Sequence, residues 1–306
     1  MSGDDVIEAV FEAVAAATPE IRESLVGRRR YEAGENPSGE QQLEADVYAD
    51  QLFEERLLAL DGVASYASEE REGIVRADGT SADADSTKGK TRAGSGGDGG
   101  DGDYHLALDP LDGSSNVKPN NVMGTIVGVY DEPLPAGGDA LVAAGYVLYG
   151  PLTTMVTARD GRVTESVVHG GERHAATADL ALPDDPTVYG FGGRVPDWTD
   201  EFAAYAREVE RELKLRYGGA MIGDVSQVLT YGGIFAYPGL TTHPNGKLRL
   251  LFEGLPIAAI VETAGGASTD GERSLLERTP EELHERTPVF VGNREYVERA
   301  ESALSE

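Results

Sequence analysis

Apolar positions recur at helical spacing near the start of the chain, where Val6, Val10, Phe11 and Val14 share one face and predict a helix over residues 4–17. A second helix is expected over roughly 20–34. The same periodicity returns in Leu43, Val47, Phe53, Leu57 and Leu60, giving an amphipathic helix over 41–60 that stops at Asp61-Gly62. Residues 63–67 read as a short strand running into Ser68-Glu69-Glu70. From 77 to 103 the chain is Gly, Asp, Ser and Thr with hardly an apolar residue, so it buries too little to order itself and predicts a flexible acidic loop. That loop joins two strand-like pieces, so the acidic strand ends at Glu69-Glu70 and Asp109 are expected to meet at one sheet edge.

Strand patterns follow at 122–130, 140–149, 152–158 and 162–168, with Asp160-Gly161 as a hairpin turn, and imply a mixed or antiparallel sheet. A second region opens with a strand over 187–191, a helix over 199–213 and a strand at 214–217. Helices over 221–231 and 248–263, separated by a strand over 233–237, lead to the stop signal Gly265-Gly266. A strand over 288–292 and a last helix after Asn293 complete the series. No internal repeat is present.

The chain has 306 residues, enough for two domains or one large one, and a 40% hydrophobic content that supports a globular fold. No apolar run reaches the ~20 residues of a membrane span, and the N-terminus lacks a signal-peptide pattern; a soluble cytoplasmic protein is expected. With no cysteine, disulfides, thiolate nucleophiles and zinc–sulfur sites are excluded. The five histidines show no metal-ligand spacing, so any metal is held by oxygen. A net charge of −28 is spread along the whole chain. Self-repulsion of that size opposes a compact state in dilute buffer, and ~1 M salt, with a Debye length of about 3 Å, screens most of it. A high-salt interior is implied. Duplex nucleic acid, which needs a basic face, is not an expected partner.

One octet concentrates candidate chemistry: Asp109-Pro110-Leu111-Asp112-Gly113-Ser114-Ser115-Asn116, entered from the apolar run 104–108. Mg²⁺ takes oxygen ligands and bridges carboxylates to phosphates, which suits Asp109 and Asp112. Pro110 biases Asp109 toward an extended backbone. Gly113 admits close backbone approach, and the amides and hydroxyls of Gly113, Ser114 and Ser115 can form an anion nest. Alone, such a stretch is also an ordinary tight turn. Three further acidic stations accompany it: Asp46 on the 41–60 helix, the Glu69-Glu70 pair, and Glu253. Each taken singly reads as a solvated carboxylate; together they suggest a divided metal site.

Tyr66-Ala67-Ser68-Glu69-Glu70, the octet, Tyr231-Gly-Gly-Ile-Phe-Ala-Tyr-Pro238 and Gly246-Lys-Leu-Arg-Leu-Leu-Phe-Glu253 resemble, in order and spacing, the signature segments of class I fructose-1,6-bisphosphatase, here of a halophilic, haloarchaeal type. The resemblance runs from about 38 to 292. It implies a layered α/β/α/β/α sugar-phosphatase sandwich related to the inositol monophosphatases, with a metal- and reacting-phosphate half over 1–180 and a half for the sugar and distal phosphate over 181–306. It implies Mg²⁺, two or three per subunit with Mn²⁺ as the alternative, on Glu69, Asp109, the Leu111 carbonyl, Asp112 and Glu253, with Glu40 at a third position where the family usually has Asp. Asp46 and Glu70 are then the residues that prepare the attacking water. Asp112 through Asn116 (Gly113, Ser114 and Ser115 between them), Met221 and Arg249 are implied to contact the reacting phosphate and sugar. Tyr217, Tyr237 and Lys247 are implied for the distal phosphate, with Arg216 reaching across from a neighbouring subunit of a homo-oligomer, tetramer or dimer.

The sequence departs from the family at Gly192-Gly193, where an Asn-Glu pair is usual and Arg194 is a candidate to compensate, and at Ala220, usually serine. The AMP-binding pattern is missing from the N-terminal segment, and Asp103 replaces a lysine. The implied reaction is hydrolysis of the 1-phosphate of fructose 1,6-bisphosphate in gluconeogenesis. A sedoheptulose-1,7-bisphosphatase or broader sugar or inositol phosphatase is the alternative within the same chemistry, and a non-catalytic divalent-cation-binding acidic protein the alternative outside it. On the residues alone, Arg249 and Glu253 also read as a surface i,i+4 pair worth ~0.2–0.5 kcal/mol. From the charge, circular dichroism and activity are both expected to collapse as KCl is lowered from about 1 M; full structure in dilute buffer would remove the inference of salt dependence.

Overall fold

The structure, a computed structural model, describes residues 2–28, 31–35, 37, 41–83 and 104–305. The first part of the chain runs α1 (Gly3–Leu25), β1 (Tyr31–Glu35), β2 (Gln41–Leu43), α2 (Glu44–Leu57), β3 (Val63–Ser68), β4 (Gly73–Arg76), β5 (Ser81–Asp83), β6 (Tyr104–Asp112) and β7 (Met123–Tyr130). Four antiparallel strands follow, β8 (Leu141–Tyr149), β9 (Thr153–Arg159), β10 (Arg162–His169) and β11 (Glu172–Thr177). The second part runs β12 (Val188–Phe191), α3 (Asp200–Glu212), β13 (Lys214–Leu215), α4 (Met221–Tyr231), β14 (Gly233–Tyr237), β15 (Leu248–Arg249), a π-helical turn (Leu250–Gly254) and α5 (Leu255–Thr263). It ends with β16 (Ala267–Thr269), β17 (Arg286–Thr287), β18 (Val289–Gly292) and α6 (Arg294–Leu304).

Strand order in the large sheet is β11-β10-β9-β8-β7-β6-β3-β4-β5, antiparallel except for the parallel pair β3–β6. The second sheet has the order β13-β12-β14-β18-β16. Helices α4 and α5 pack between the sheets, α1 and α2 cover the far face of the large sheet, and α3 and α6 cover the far face of the small one. The result is the expected five-layer α/β/α/β/α sandwich. Period-two alternation explains how one strand serves two layers: in β7, Val127 and Val129 face α1 and α2, while Ile126 and Tyr130 face α4 and α5.

Three sequence expectations change. α1 is one helix to Leu25 with Pro19 inside it, and residues 31–35 are a strand, so the separate 20–34 helix is absent. Its start is set by Ser2 and Asp5, which cap each other reciprocally. Pro19 removes one backbone bond, but Val14, Ala17 and Ile21 stay buried on one side across it, so packing carries the helix through. The expected acidic loop begins later than 77, because β5 pairs with β4; residues 84–103 lie outside the described residues. The expected 248–263 helix is a strand, a π-helical turn and then α5.

Phe11 is buried at the heart of the α1 layer, with the Arg173 guanidinium 5.9 Å from its ring centroid. Phe11→Ala is expected to cost about 3–5 kcal/mol of stability, read as a lowered urea midpoint at constant high salt.

Candidate active site

Parallel pairing of β3 with β6 sets Ser68 beside Leu108, and the Glu69 N–H then donates to the Leu108 carbonyl at 3.0 Å. Two acidic strand ends therefore emerge together at one sheet edge. The β6–β7 ladder slips register between Asp109 and Asp112, a bulge that re-aims side chains. Pro110 suits it, having no N–H to leave unpaired, and its carbonyl accepts from Thr125 Oγ1 at 2.9 Å. Asp109 Oδ1 accepts from the Leu111 N–H at 2.9 Å. Gly113 then turns the chain at φ 73°, a left-handed conformation open to glycine. A Cβ there would overlap the Cβ of Ala220, so glycine lets the octet touch the loop that precedes α4.

That contact is part of a clamp. Asp112 Oδ2 accepts from the Ile222 N–H at 3.0 Å and so caps the first turn of α4 from a strand in another layer. Asn116 Nδ2 donates to the carbonyls of Val122 at 2.8 Å and Gly218 at 2.9 Å. Asp224 Oδ1 accepts from the Gly218 N–H at 2.7 Å. Asn116, expected at the phosphate, instead ties the two parts of the chain together and stands outside the cleft lining.

Glu253 arrives on the π-helical turn, where its Oε2 accepts from the Arg249 N–H at 2.5 Å. Arg249 is buried in β15 and its Nη2 lies 3.1 Å from Glu69 Oε1. The surface i,i+4 reading of Arg249 and Glu253 is thereby corrected: both are interior groups, and neither lies on α5. Carboxylate oxygens of Glu69, Asp109 and Glu253 fall within 4.8 Å of one another. They open on a cleft of about 440 Å³ that Asp46, Glu70, Leu111 and Asp112 also line. Asp46 is buried in the first turn of α2, where its Oδ2 accepts from the Leu43 N–H at 2.8 Å.

Burial, reinforced by Glu69, Asp112, Glu253 and Glu70, pushes the Asp109 carboxyl well above its ordinary range. Glu253 is pushed up by burial and Glu69, against the pull of Arg249. Asp112 rises to about 7 through burial, although the amides of Ile222 and Met221 favour its charged form. All the donors are hard oxygens, and their negative charges are crowded beyond what Arg249 offsets. This set fits a small divalent cation.

The octet's Gly113, Ser114 and Ser115 form one wall, while Tyr217, Met221, Tyr237, Lys247 and Arg249 enter from the second part of the chain. A Cβ on Gly192 would run into the Tyr237 ring, so the glycine at this departure from the family pattern lets the ring lie against the backbone. Arg194, the candidate to compensate, is exposed, pairs with Asp197 at 2.8 Å and is not among the residues that line the cleft. Arg216 is exposed at the end of β13 and outside this chain's cleft lining. Glu40 lies outside the described residues. Sequence reasoning missed Asp224, a buried cleft carboxylate raised to about 7 by burial; in a chain with 54 acidic residues nothing local singles it out.

Two family models match the chain, described as the fructose-1-6-bisphosphatase N-terminal domain over residues 94–171 and the C-terminal domain over 182–305. The chain is 64% identical over 301 residues to the class 1 fructose-1,6-bisphosphatase of Natronomonas pharaonis, across 98% of this chain and 99% of that protein. It is 56% identical to that of Halobacterium salinarum, across 98% of each. The crystal structure of the holo form of Leishmania major fructose-1,6-bisphosphatase matches with a TM-score of 0.86 at 29% identity, covering 98% of this chain and 95% of that one. Fold and site together define an α/β-sandwich phosphatase. Within that class, the chain belongs to the class 1 fructose-1,6-bisphosphatases.

The raised carboxyls give the metal-free protein a pH signature. A carboxyl whose pKa is higher folded than unfolded binds more protons in the native state, so its contribution to stability is lost as pH rises. For Asp112 the window runs from 3.8 to about 7. In chelator-treated protein at high salt, Asp112→Asn is expected to lessen the fall in melting temperature across that window, and added Mg²⁺ to raise the melting temperature most at its upper end. Identical pH profiles for the variant and the parent would contradict this electrostatic account.

Proposed function

We propose that this cleft hydrolyses the 1-phosphate of fructose 1,6-bisphosphate, giving fructose 6-phosphate and phosphate, with Mg²⁺ as the resident metal. The observation that carries the reading is the convergence of Glu69, Asp109 and Glu253 oxygens within 4.8 Å in the same cleft as the Gly113–Ser115 nest and the Tyr237/Lys247 wall. Glu69, Asp109, the Leu111 carbonyl, Asp112 and Glu253 would hold two or three ions, and Mn²⁺ would serve in their place. What the metal supplies when bound is neutralisation of phosphoryl charge and a lowered pKa for water at neutral pH.

The chain's own groups do the rest by position and charge, as phosphoryl transfer requires. Asp46 and Glu70 orient the attacking water and accept its proton. Amides and hydroxyls of Gly113, Ser114 and Ser115 cradle the reacting phosphate, and Met221 and Arg249 border the sugar. Lys247 meets the distal phosphate as a compact point charge, beside the hydroxyls of Tyr217 and Tyr237. Residues 1–180 thus supply most of the metal ligands and the nest for the reacting phosphate, and 181–306 supply Glu253 and the wall for the sugar and distal phosphate. We further assign the enzyme to the cytoplasm and to a homo-oligomer, tetramer or dimer, in which Arg216 serves a neighbouring cleft. Among the described residues no helix is long and apolar enough to cross a membrane.

The test is Mg²⁺-dependent phosphate release from fructose 1,6-bisphosphate, sedoheptulose 1,7-bisphosphate, fructose 1-phosphate and inositol monophosphate. Fructose 1,6-bisphosphate is expected to have the highest kcat/KM. Glu70→Gln and Asp46→Ala should lower kcat by about 10²–10⁴-fold, and Lys247→Ala should raise KM for bisphosphates far more than for monophosphates. Preference for the inositol phosphate, or indifference of kcat to Glu70→Gln, would overturn the assignment.

A further inference from the structure

The segment carrying Glu69 and Glu70 ends on Arg71, which the reaction above does not use. Its partly buried guanidinium pairs with Asp50 and Glu54 on α2. Asp46, Asp50 and Glu54 succeed one another at four-residue intervals, so they lie along one side of the helix. Arg71 therefore grips α2 one and two turns beyond Asp46. Asp50 is itself buried and also accepts from the Tyr66 hydroxyl of β3 at 3.0 Å. The sheet strand, the acidic segment and the helix meet on this one carboxylate.

A second hold comes from the other part of the chain. His284 Nε2 lies 2.7 Å from the Arg71 carbonyl oxygen; a carbonyl only accepts, so Nε2 carries the hydrogen. The imidazole ring packs 5.3 Å, centroid to centroid, from Phe252, the neighbour of Glu253. The carbonyl of the next residue, Glu285, accepts from the Leu250 N–H at 2.9 Å, at the start of the π-helical turn. A buried ion pair adds little net stability once desolvation is counted. Its physical yield here is geometry, because it links two of the segments that carry the acidic groups, and the His284 hydrogen bond brings in the third.

We propose that Arg71 and His284 are positioning residues for the phosphatase reaction, locking the Glu69-Glu70 segment to the helix of Asp46 on one side and to the π-helical turn of Glu253 on the other. The proposal rests on the functional reading above. Misplacing catalytic groups by about 1 Å can cost about 10²-fold in rate, and loosening the groups that orient metal ligands costs about 10–100-fold in metal affinity.

The experiment compares Arg71→Met, Arg71→Met/Asp50→Asn, His284→Leu and His284→Gln with the parent at high salt, each checked for folding by circular dichroism. The double variant guards against unfolding from an unpaired Asp50. Two readouts are taken: kcat and KM with fructose 1,6-bisphosphate, and Mn²⁺ binding by electron paramagnetic resonance without substrate. Arg71→Met/Asp50→Asn should be folded, with kcat lowered about 10–100-fold, KM little changed and Mn²⁺ affinity weakened about 10–100-fold. His284→Leu should shift both readouts the same way, and His284→Gln, which keeps an N–H donor, should restore them. Parent-like kcat and Mn²⁺ affinity in the folded double variant, or an effect on KM alone, would overturn the proposal. An inactive parent would instead remove the functional reading, while the Mn²⁺ titration would still judge the positioning role.

Discussion

Gathering buried carboxylates at one place is the constraint on which this architecture turns. Glu69, Asp109, Asp112 and Glu253 are all buried, and like charges at short range inside protein repel far more strongly than in water. Such a cluster stays ionised only beside concentrated positive charge. Arg249 supplies one such charge through Glu69, and the first amides of α4 supply partial charge to Asp112. The remainder calls for a divalent ion. The raised carboxyl pKa values and the fit to a divalent cation are two expressions of the same repulsion.

Holding mutually repelling groups also draws on scaffolding that is not itself electrostatic. The octet emerges from a central strand, α4 from the layer between the sheets, and the π-helical turn from the entry to α5. Neutral ties join the octet to its own turn and to the loop before α4, with Asn116 donating to the Val122 and Gly218 carbonyls and Gly113 set against Ala220, beside the charged tie of Arg249 to Glu69. Uncharged hydrogen bonds and close packing keep their strength at high salt, where long-range Coulomb terms are screened. That suits a chain with a net charge of −28, in which a site held together mainly by exposed ion pairs would loosen in the medium its surface needs.

In the proposed reading, substrate discrimination falls on the other wall. Tyr217, Tyr237 and Lys247 come from three separate pieces of the second part of the chain. Gly192 has no side chain, so the Tyr237 ring can lie close against the end of β12. The glycine at that position thus has a steric use, and the nearby Arg194 is exposed and paired with Asp197.

Much of this was readable from the order of residues. Alternation in β6 to β10, helical periodicity in α2 to α4, and the turn residues between them state local preferences that the packed molecule keeps. Asp109 and Asp112 were likewise legible as ligand-type residues, because the proline, glycine and serines beside them allow an anion nest, whereas Glu69 stood out only in company with the other acidic stations. β11 and β16 were not readable: β11 is largely exposed and polar, with no alternation, and β16 has three residues. The continuation of α1 through Pro19 and the π-helical turn before α5 were also beyond reach, since burial on a distant layer overrides the local signal in each. Chain order alone thus determined the chemical kinds of group available and most elements that carry them. Only tertiary structure decided that Asn116 braces a loop, that Arg249 is interior and paired with Glu69, and that Asp224 belongs to the cleft. Those outcomes depend on which layers touch, and contacts between residues about a hundred positions apart leave no trace in the neighbours of either one.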